Sequence, residues 1–424
     1  MQSSQSFRGM RDILPGEVDR RSYALDLIRA TYRSHGFIEI ETPVVESLDV
    51  LMGSGGGENE KLTFKLLRRG DKLDLATANS EDDLVDGGLR FDLTVPLCRY
   101  YAANASRLPR PFRSIQIGSV FRAERPQKGR FRQFTQADID IIGDPSPLAE
   151  VELLIGSGHA LHALGVEGME IRLNDRRALE QVLVRAGISQ ELHGPAMISL
   201  DKLDKIAPEL VVEEMSSRGI DHHVGEAVIE RLGSVSGSKA LDELGNAGVE
   251  FEVLESLRTI VEHVHGAIKG MEVRIDPLCV RGLGYYTSTV YEFSHPLWST
   301  SLAGGGRYDR MLERFGLELP ACGVSLGFER ISGLLAEEGL GMPRGGRRLY
   351  LIFDQSTEMT AALSHARELR RSGFQVVLVA HRNGARSPMK RLASEAEELK
   401  AQGSGDEFWF QQLHLDDEPR LLMH

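Results

Sequence analysis

The chain has 424 residues, 41% of them hydrophobic and 26% charged, which excludes a disordered polymer and exceeds the roughly 250 to 300 residues that one hydrophobic core serves. Two or three domains are therefore expected. Acidic residues outnumber basic ones 62 to 50, a net charge of −12, so the molecule as a whole is not a basic nucleic-acid binder.

No run approaches the roughly 18 uninterrupted apolar residues of a membrane span, and the opening MQSSQSFRGMRDILPGE carries no hydrophobic leader. A cytoplasmic protein with no membrane partner is expected. Cys98, Cys279 and Cys322 are odd in number and far apart, so neither a disulfide framework nor a metal site is expected of them.

In chain order, residues 17–34 place Tyr23, Leu25, Leu27, Ile28 and Tyr32 at helical spacing, and His35-Gly36 ends the run. A strand follows over 37–41 and Pro43 stops it. Residues 53–57 (GSGGG) lack the GK[ST] ending and following helix of a phosphate loop and read as a mobile loop on the substrate side. Beta-like runs on either side of Pro126–Gly129 predict an antiparallel hairpin with a long loop. A helix is expected over 148–164, a helical acidic insertion over about 190–262, and strands over 271–276, 286–293 and 323–327. After the linker 342–346, strand and helix alternate at 348–353, 357–372, 375–380, 388–400 and 407–415, the pattern of a small α/β domain.

Charge is unevenly placed. Between Arg107 and Arg132 stand seven arginines and Lys128 against a single acid, Glu124, interleaved with Phe112, Phe121, Phe131 and Phe134. On one face of the hairpin, Arg122, Arg130 and Arg132 are expected to converge on a polyphosphate, because the guanidinium fork matches phosphate oxygens in pairs and does not deprotonate. Glu124 supplies an acceptor for a nucleotide amine. Three further segments draw attention: RGLGYY (281–286), AGGGRYD (303–309), whose glycines let backbone approach a ligand with Arg307 beside them, and GVSLGFER (323–330), a strand entering a helix at Arg330.

These segments carry a resemblance. GSVFRAERPQKGRFRQFTQADIDIIG (118–143) resembles motif 2 of the class II aminoacyl-tRNA synthetases in its histidyl form, GVSLGFER resembles motif 3, and HGFIEIETPVVE (35–46) resembles motif 1, the dimer-interface strand. RGLGYYTSTVYE (281–292) and AGGGRYD are similar to the two signatures of the histidyl-tRNA synthetase family. The match runs in the family's order from about residue 7 to 335.

The resemblance implies an α/β fold: a class II catalytic core over 1–340, with an antiparallel sheet flanked by helices and the insertion within it, followed by a shortened anticodon-binding-like domain over 346–424. It implies a homodimer that joins L-histidine to tRNA(His) using ATP and Mg²⁺. By carry-over, Arg281 and Arg122 are catalytic. Asp92, Leu93, Thr94, Arg122, Gln136, Asp140, Arg281, Tyr285 and Tyr286 bind histidine. Arg122, Glu124, Arg130, Phe134 and Arg330 bind ATP, and Arg125 and Gln127 meet the tRNA acceptor end. No protein metal ligand is assigned. Two positions depart from the commonest family form: Gly284 where an acid is usual, and Asp92 where bacterial members usually have Glu. The alternatives are a non-catalytic, histidine-sensing relative like the regulatory subunit of ATP phosphoribosyltransferase, or an amino-acid-activating paralogue. Retention of Arg122, Glu124, Arg130, Arg281 and Arg330 favours the ligase. The last region balances eleven basic against eleven acidic residues, which leaves it no electrostatic footprint for RNA.

Overall fold

The structure is a computed structural model that describes residues 4–52, 62–125, 130–203, 206–235, 237–280, 284–296, 298–340, 345–354, 358–381, 387–401, 404, 406–413 and 418–423. The chain divides into two compact units, Met1–Met10 with Leu27–Leu334, and Arg11–Asp26 with Leu335–His424. Among the described residues no helix is long and apolar enough to cross a membrane.

Helix α1 (Pro15–Ser34) buries Ala24, Ile28 and Tyr32, one residue per turn on a single stripe. Gly36 ends it in the left-handed region at φ +81°, where its N–H reaches the Arg33 carbonyl at 3.0 Å. There follow β1 (Ile38–Glu39), β2 (Val45–Glu46), α2 (Leu48–Met52), β3 (Phe64–Leu67), β4 (Val85–Leu89) and α3 (Thr94–Asn104). The predicted hairpin is β5 (Phe112–Phe121) with β6 (Gln133–Ile142), and α4 (Leu148–Ala163) and β7 (Glu170–Asp175) come next.

The helical insertion begins earlier than expected. It comprises α5 (Arg176–Arg185), α6 (Gln190–Leu200), α7 (Pro208–Ser217), α8 (His222–Ser234), α9 (Ala240–Asn246) and α10 (Phe251–Val264). Asp175 starts it, ending β7 and accepting the Arg177 N–H at 2.9 Å as the cap of α5. The unit closes with β8 (Glu272–Ile275), β9 (Thr289–His295), β10 (Trp298–Arg307), β11 (Ala321–Gly327) and α11 (Phe328–Glu337), the last of which runs beyond Leu334.

Eight strands form one sheet in the order β1-β5-β6-β11-β10-β9-β7-β8. Its six inner strands are antiparallel, and the edges β1 and β8 pair in parallel. The expected antiparallel sheet flanked by helices is therefore present. Strand β10 was not expected, and it holds Gly304–Gly306 inside a ladder. A Cβ on Gly306 would stand 2.5 Å from the Thr289 carbonyl oxygen and 2.8 Å from the Tyr286 ring, so close neighbours on both counts require the missing side chain. One face of the sheet carries Ile139 toward α4, and the other carries Phe112, Ile142 and Val290 into a core shared with Phe91, Val95, Leu97 and Tyr101 around α3. Strands β2, β4 and β3 form a separate antiparallel sheet.

In the second unit β12 (Arg347–Asp354), α12 (Met359–Arg371), β13 (Phe374–His381), α13 (Met389–Ala401), β14 (Glu407–Gln412) and β15 (Arg420–Met423) follow in order. The sheet runs β13-β12-β14-β15, the first three parallel. Strand β12 sends Leu349, Leu351 and Phe353 to Ala362 and Ala366 of α12, and Tyr350 and Ile352 to Leu392 and Ala396 of α13. A parallel strand covered on both faces reads as a continuous apolar run, as 349–353 does.

Candidate active site

Alternation along β6 puts Phe134, Gln136, Asp138 and Asp140 on one face, while Ala137, Ile139 and Ile141 fill the other. Small residues stand opposite the polar ones: Gly327 pairs with Gln136, Ser325 with Asp138 and Gly323 with Asp140. A Cβ on Gly323 would collide with the Asp140 carboxylate, so that glycine makes room for the acid. Asp92 joins from the turn before α3, where its Oδ1 accepts the Val95 N–H at 3.2 Å.

These side chains line a cavity of about 290 Å³ together with Thr94, Arg122, Glu124, Arg130, Tyr285, Tyr286, Tyr308, Glu329 and Arg330. Its floor is buried and acidic. Asp92, Asp138 and Asp140 are each 3% exposed. Asp92 Oδ2, Gln136 Oε1, Asp138 Oδ1 and Asp140 Oδ2 are buried with no hydrogen-bond partner. Buried acceptors of this kind are costly unless a ligand supplies donors.

Burial raises all three carboxyls. Asp92 is pushed up to about 6, with the Val95 N–H and Arg122 working against the rise. Asp140 is pushed up to about 7 by burial and by the Asp92 charge, against a 2.5 Å hydrogen bond donated by the Tyr308 hydroxyl. Asp138 rises through burial and the neighbouring Asp140, although Ser325 donates to it. A cationic ligand would relieve that repulsion.

The other end of the cavity is cationic. Arg122 donates from Nε to the Phe91 carbonyl at 3.1 Å, and its guanidinium stands 5.0 Å above the Phe134 ring. Arg330 is anchored by the Ser301 carbonyl, and Glu329 accepts the Thr135 N–H at 3.3 Å. The Tyr285 and Tyr286 rings, 4.8 Å apart, line the acidic end, where Tyr285 stands edge-on to Tyr308 at 6.2 Å.

The structure thus brings together Asp92, Thr94, Arg122, Glu124, Arg130, Phe134, Gln136, Asp140, Tyr285, Tyr286 and Arg330. Leu93 stands behind them in the core, its carbonyl accepting from Gln116 at 2.9 Å. Arg125 is exposed and is not among the lining residues. Arg281, Gln127 and the 53–57 loop lie outside the described residues.

Two expectations about arginines are corrected. Arg132 does not join the convergence: it donates to the Glu124 carbonyl at 3.0 Å and lies over Phe64, bracing the hairpin. Arg307 turns into the protein, where Glu150 takes its Nε at 2.7 Å and its Nη2 at 2.6 Å. Sequence reasoning also missed Asp138, Ser325 and Tyr308. The QADID alternation held the signal for Asp138, whereas Ser325 and Tyr308 reach the cavity only through strand pairing and folding.

A family sequence model described as histidyl-tRNA synthetase matches residues 9–331, and with it every described lining residue of the cavity. The chain belongs to the histidyl-tRNA synthetase family. Among curated histidyl-tRNA synthetases it is 42% identical over 406 residues to the histidine–tRNA ligase of Leifsonia xyli, covering 91% of this chain and 92% of that one. It is 41% identical over 384 residues to a probable histidine–tRNA ligase of Tropheryma whipplei strain Twist, covering 87% and 88%. The crystal structure of histidyl-tRNA synthetase from Nostoc sp. PCC 7120 superposes with a TM-score of 0.76 at 27% identity, over 97% of this chain and 92% of that one. An ATP phosphoribosyltransferase regulatory subunit/histidyl-tRNA synthetase from Bacillus halodurans shares the fold, with a TM-score of 0.76 at 20% identity, over 97% and 98%.

Proposed function

We propose that the protein activates L-histidine with ATP and transfers it to the 3′ end of tRNA(His). The observation that carries this is the cavity's division into an acidic end with four unpartnered buried oxygens and a cationic end with Arg122, Arg130 and Arg330. The acidic end suits an ammonium and an imidazole N–H. The cationic end suits phosphates. A histidine sensor with no nucleotide chemistry would need only the first, which favours the ligase over the regulatory reading.

In the first step the histidine carboxylate attacks the α-phosphorus of ATP, a P–O bond forms and pyrophosphate leaves. Negative charge grows on the phosphoryl oxygens, so the catalyst needs fixed cations near it. Arg122, pinned by the Phe91 carbonyl, would bridge the carboxylate and α-phosphate, and Arg281 would act on the same charge. Arg130 and Arg330 would hold the outer phosphates, and Phe134 and Glu124 the adenine. Asp92 and Gln136 would take the ammonium, Thr94 would line the histidine site beside them, and Asp140, Tyr285 and Tyr286 would take the imidazole. In the second step a ribose hydroxyl of the tRNA attacks the carbonyl and AMP leaves.

Mg²⁺ fits a place on the phosphate oxygens, since it keeps waters and takes few protein ligands. Among the described residues no group of three or more His, Cys, Asp or Glu is arranged to hold a metal. Glu329, beside Arg330 in the cavity, would be its carboxylate ligand, and the ion would neutralise phosphate charge.

The protein would act in the cytoplasm as a homodimer: Ile38, Val44 and Val45, on and beside β1 and β2, are 51%, 39% and 49% exposed, an apolar edge suited to a second copy. Arg125 and Gln127 would meet the tRNA acceptor end, and residues 346–424 would be a shortened anticodon-binding-like domain. Histidine-dependent ATP–pyrophosphate exchange followed by charging of total tRNA tests the reading. Absence of exchange with histidine, with all other amino acids also silent, would end it.

A further inference from the structure

An amide side chain presents either an acceptor or a donor to a ligand, and a neighbour must decide which. Gln136 donates from Nε2 to the Ser325 hydroxyl at 2.5 Å, and Ser325 stands directly opposite Asp138 in the ladder of β6 with β11. That donation leaves Gln136 Oε1 as the atom without a partner, in the same cavity as Asp138 Oδ1 and Asp92 Oδ2. An α-ammonium group offers three N–H donors. The three oxygens match that number, and Asp140 Oδ2 remains for the imidazole.

We propose that Asp138 and Ser325 set the selectivity for a protonated α-amino group: Asp138 Oδ1 receives one ammonium N–H, and Ser325, its cross-strand neighbour, fixes the Gln136 amide with its carbonyl toward the ligand. This rests on the histidine-activating reading above. Asp138 contacts the substrate, whereas Ser325 is a positioning residue. Without the Ser325 hydroxyl nothing opposes rotation of the amide, and its NH₂ group would then face the ammonium, donor against donor. The discriminated ligands are histidine analogues that lack the amino group but keep the ring.

Ser325 lies opposite Gly304 on β10 and Asp138 on β6, so removing its oxygen leaves the ladder intact. The test uses the full chain as wild type, Ser325→Ala, Asp138→Asn and the double variant, followed by ATP–pyrophosphate exchange. Histidinol, which keeps the ammonium, and imidazolepropionic acid, which lacks it, serve as inhibitors. Each substitution should raise the histidine KM and the histidinol Ki by about tenfold, with the ATP KM and the imidazolepropionate Ki within about twofold of wild type. The double variant should be no weaker than the weaker single one, because the residues act as one unit. Parallel loss of both inhibitors, or multiplying effects in the double variant, would overturn the proposal. Should Asp138→Asn fail to fold, Ser325→Ala decides by the ratio of the two inhibitor constants. A wild-type protein silent with histidine would instead count against the ligase reading; normal exchange with unchanged inhibitor ratios would count against this inference alone.

Discussion

The two large sheets bury their central strands for opposite reasons. Strand β6 turns Gln136, Asp138 and Asp140 into a buried cavity and leaves oxygens of all three unpaired. Strand β12, equally enclosed, places Leu349, Tyr350, Leu351, Ile352 and Phe353 against helices on both faces. Apolar burial stabilises a fold by about 25 cal/mol per Å², whereas burying unpaired acceptors costs stability. The contrast shows where the molecule tolerates a local cost, and such a place is where a ligand is expected to complete the hydrogen bonds.

The comparison is most strongly tested at Arg122, the cation nearest both ends of the cavity. Arg122→Ala should slow histidine-dependent pyrophosphate exchange by about 10² to 10³-fold, the usual loss of a donor aimed at developing charge. A rate within threefold of wild type in stopped exchange assays would remove Arg122 from catalysis.

The second sheet should respond in stability and not in chemistry. Leu351→Ala, at a fully buried position, should cost roughly 2 to 5 kcal/mol of the second unit's stability. Denaturant unfolding followed by Trp409 fluorescence reads this, and exchange at 25 °C should stay unchanged. Exchange falling in step with the Trp409 transition would show that the two units cannot be treated separately.

Asp140→Ala is expected to raise the histidine KM by more than tenfold, equivalent to about 1.5 to 3 kcal/mol for a charge-assisted bond, and to leave the ATP KM within twofold. An effect on ATP alone would make Asp140 a structural partner of Tyr308.

The smallest effect is on pH dependence. Asp92 and Asp140 are raised by burial to about 6 and about 7 from their ordinary 3.8. Between those limits the folded protein binds more protons than the unfolded chain, so this site's contribution to stability falls as pH rises from about 4 to about 7. Asp140→Asn should therefore gain a few degrees in Tm at pH 8 and little at pH 4, and histidine should raise the wild-type Tm more at pH 8 than at pH 5. Equal Tm gains at both pH values, read by scanning fluorimetry, would show that the carboxyl is not strained.

Much of the site was legible early because it is local. The hairpin, its arginines and the period-two row from Phe134 to Asp140 all lie within one stretch of sequence. The second unit was legible for the same reason: each of its strands and helices is a separate apolar run, and only the short β15 escaped notice. What escaped in the first unit depends on partners distant in sequence. Strand β10 carries no apolar alternation across Gly304–Gly306 and shows itself only in its pairing with β9 and β11, where the Tyr286 ring packs against Gly306. Arg307 reads as a ligand arginine until Glu150, 157 residues away, is seen accepting from its Nε and Nη2.

The sequence by itself determined the hairpin, the alternating strands and helices after residue 346, the alternation that sends three carboxyl or amide side chains to one face of β6, and the family, through motifs whose chemistry is carried by residue type. Only the tertiary structure decided which arginines face the cavity and which brace the fold, that Ser325 and Tyr308 meet the acids of β6, and that four oxygens remain unpaired. The physical reason is that side-chain type and spacing are local properties, whereas a hydrogen bond is satisfied or left open by whatever the rest of the chain brings within 3 Å of it.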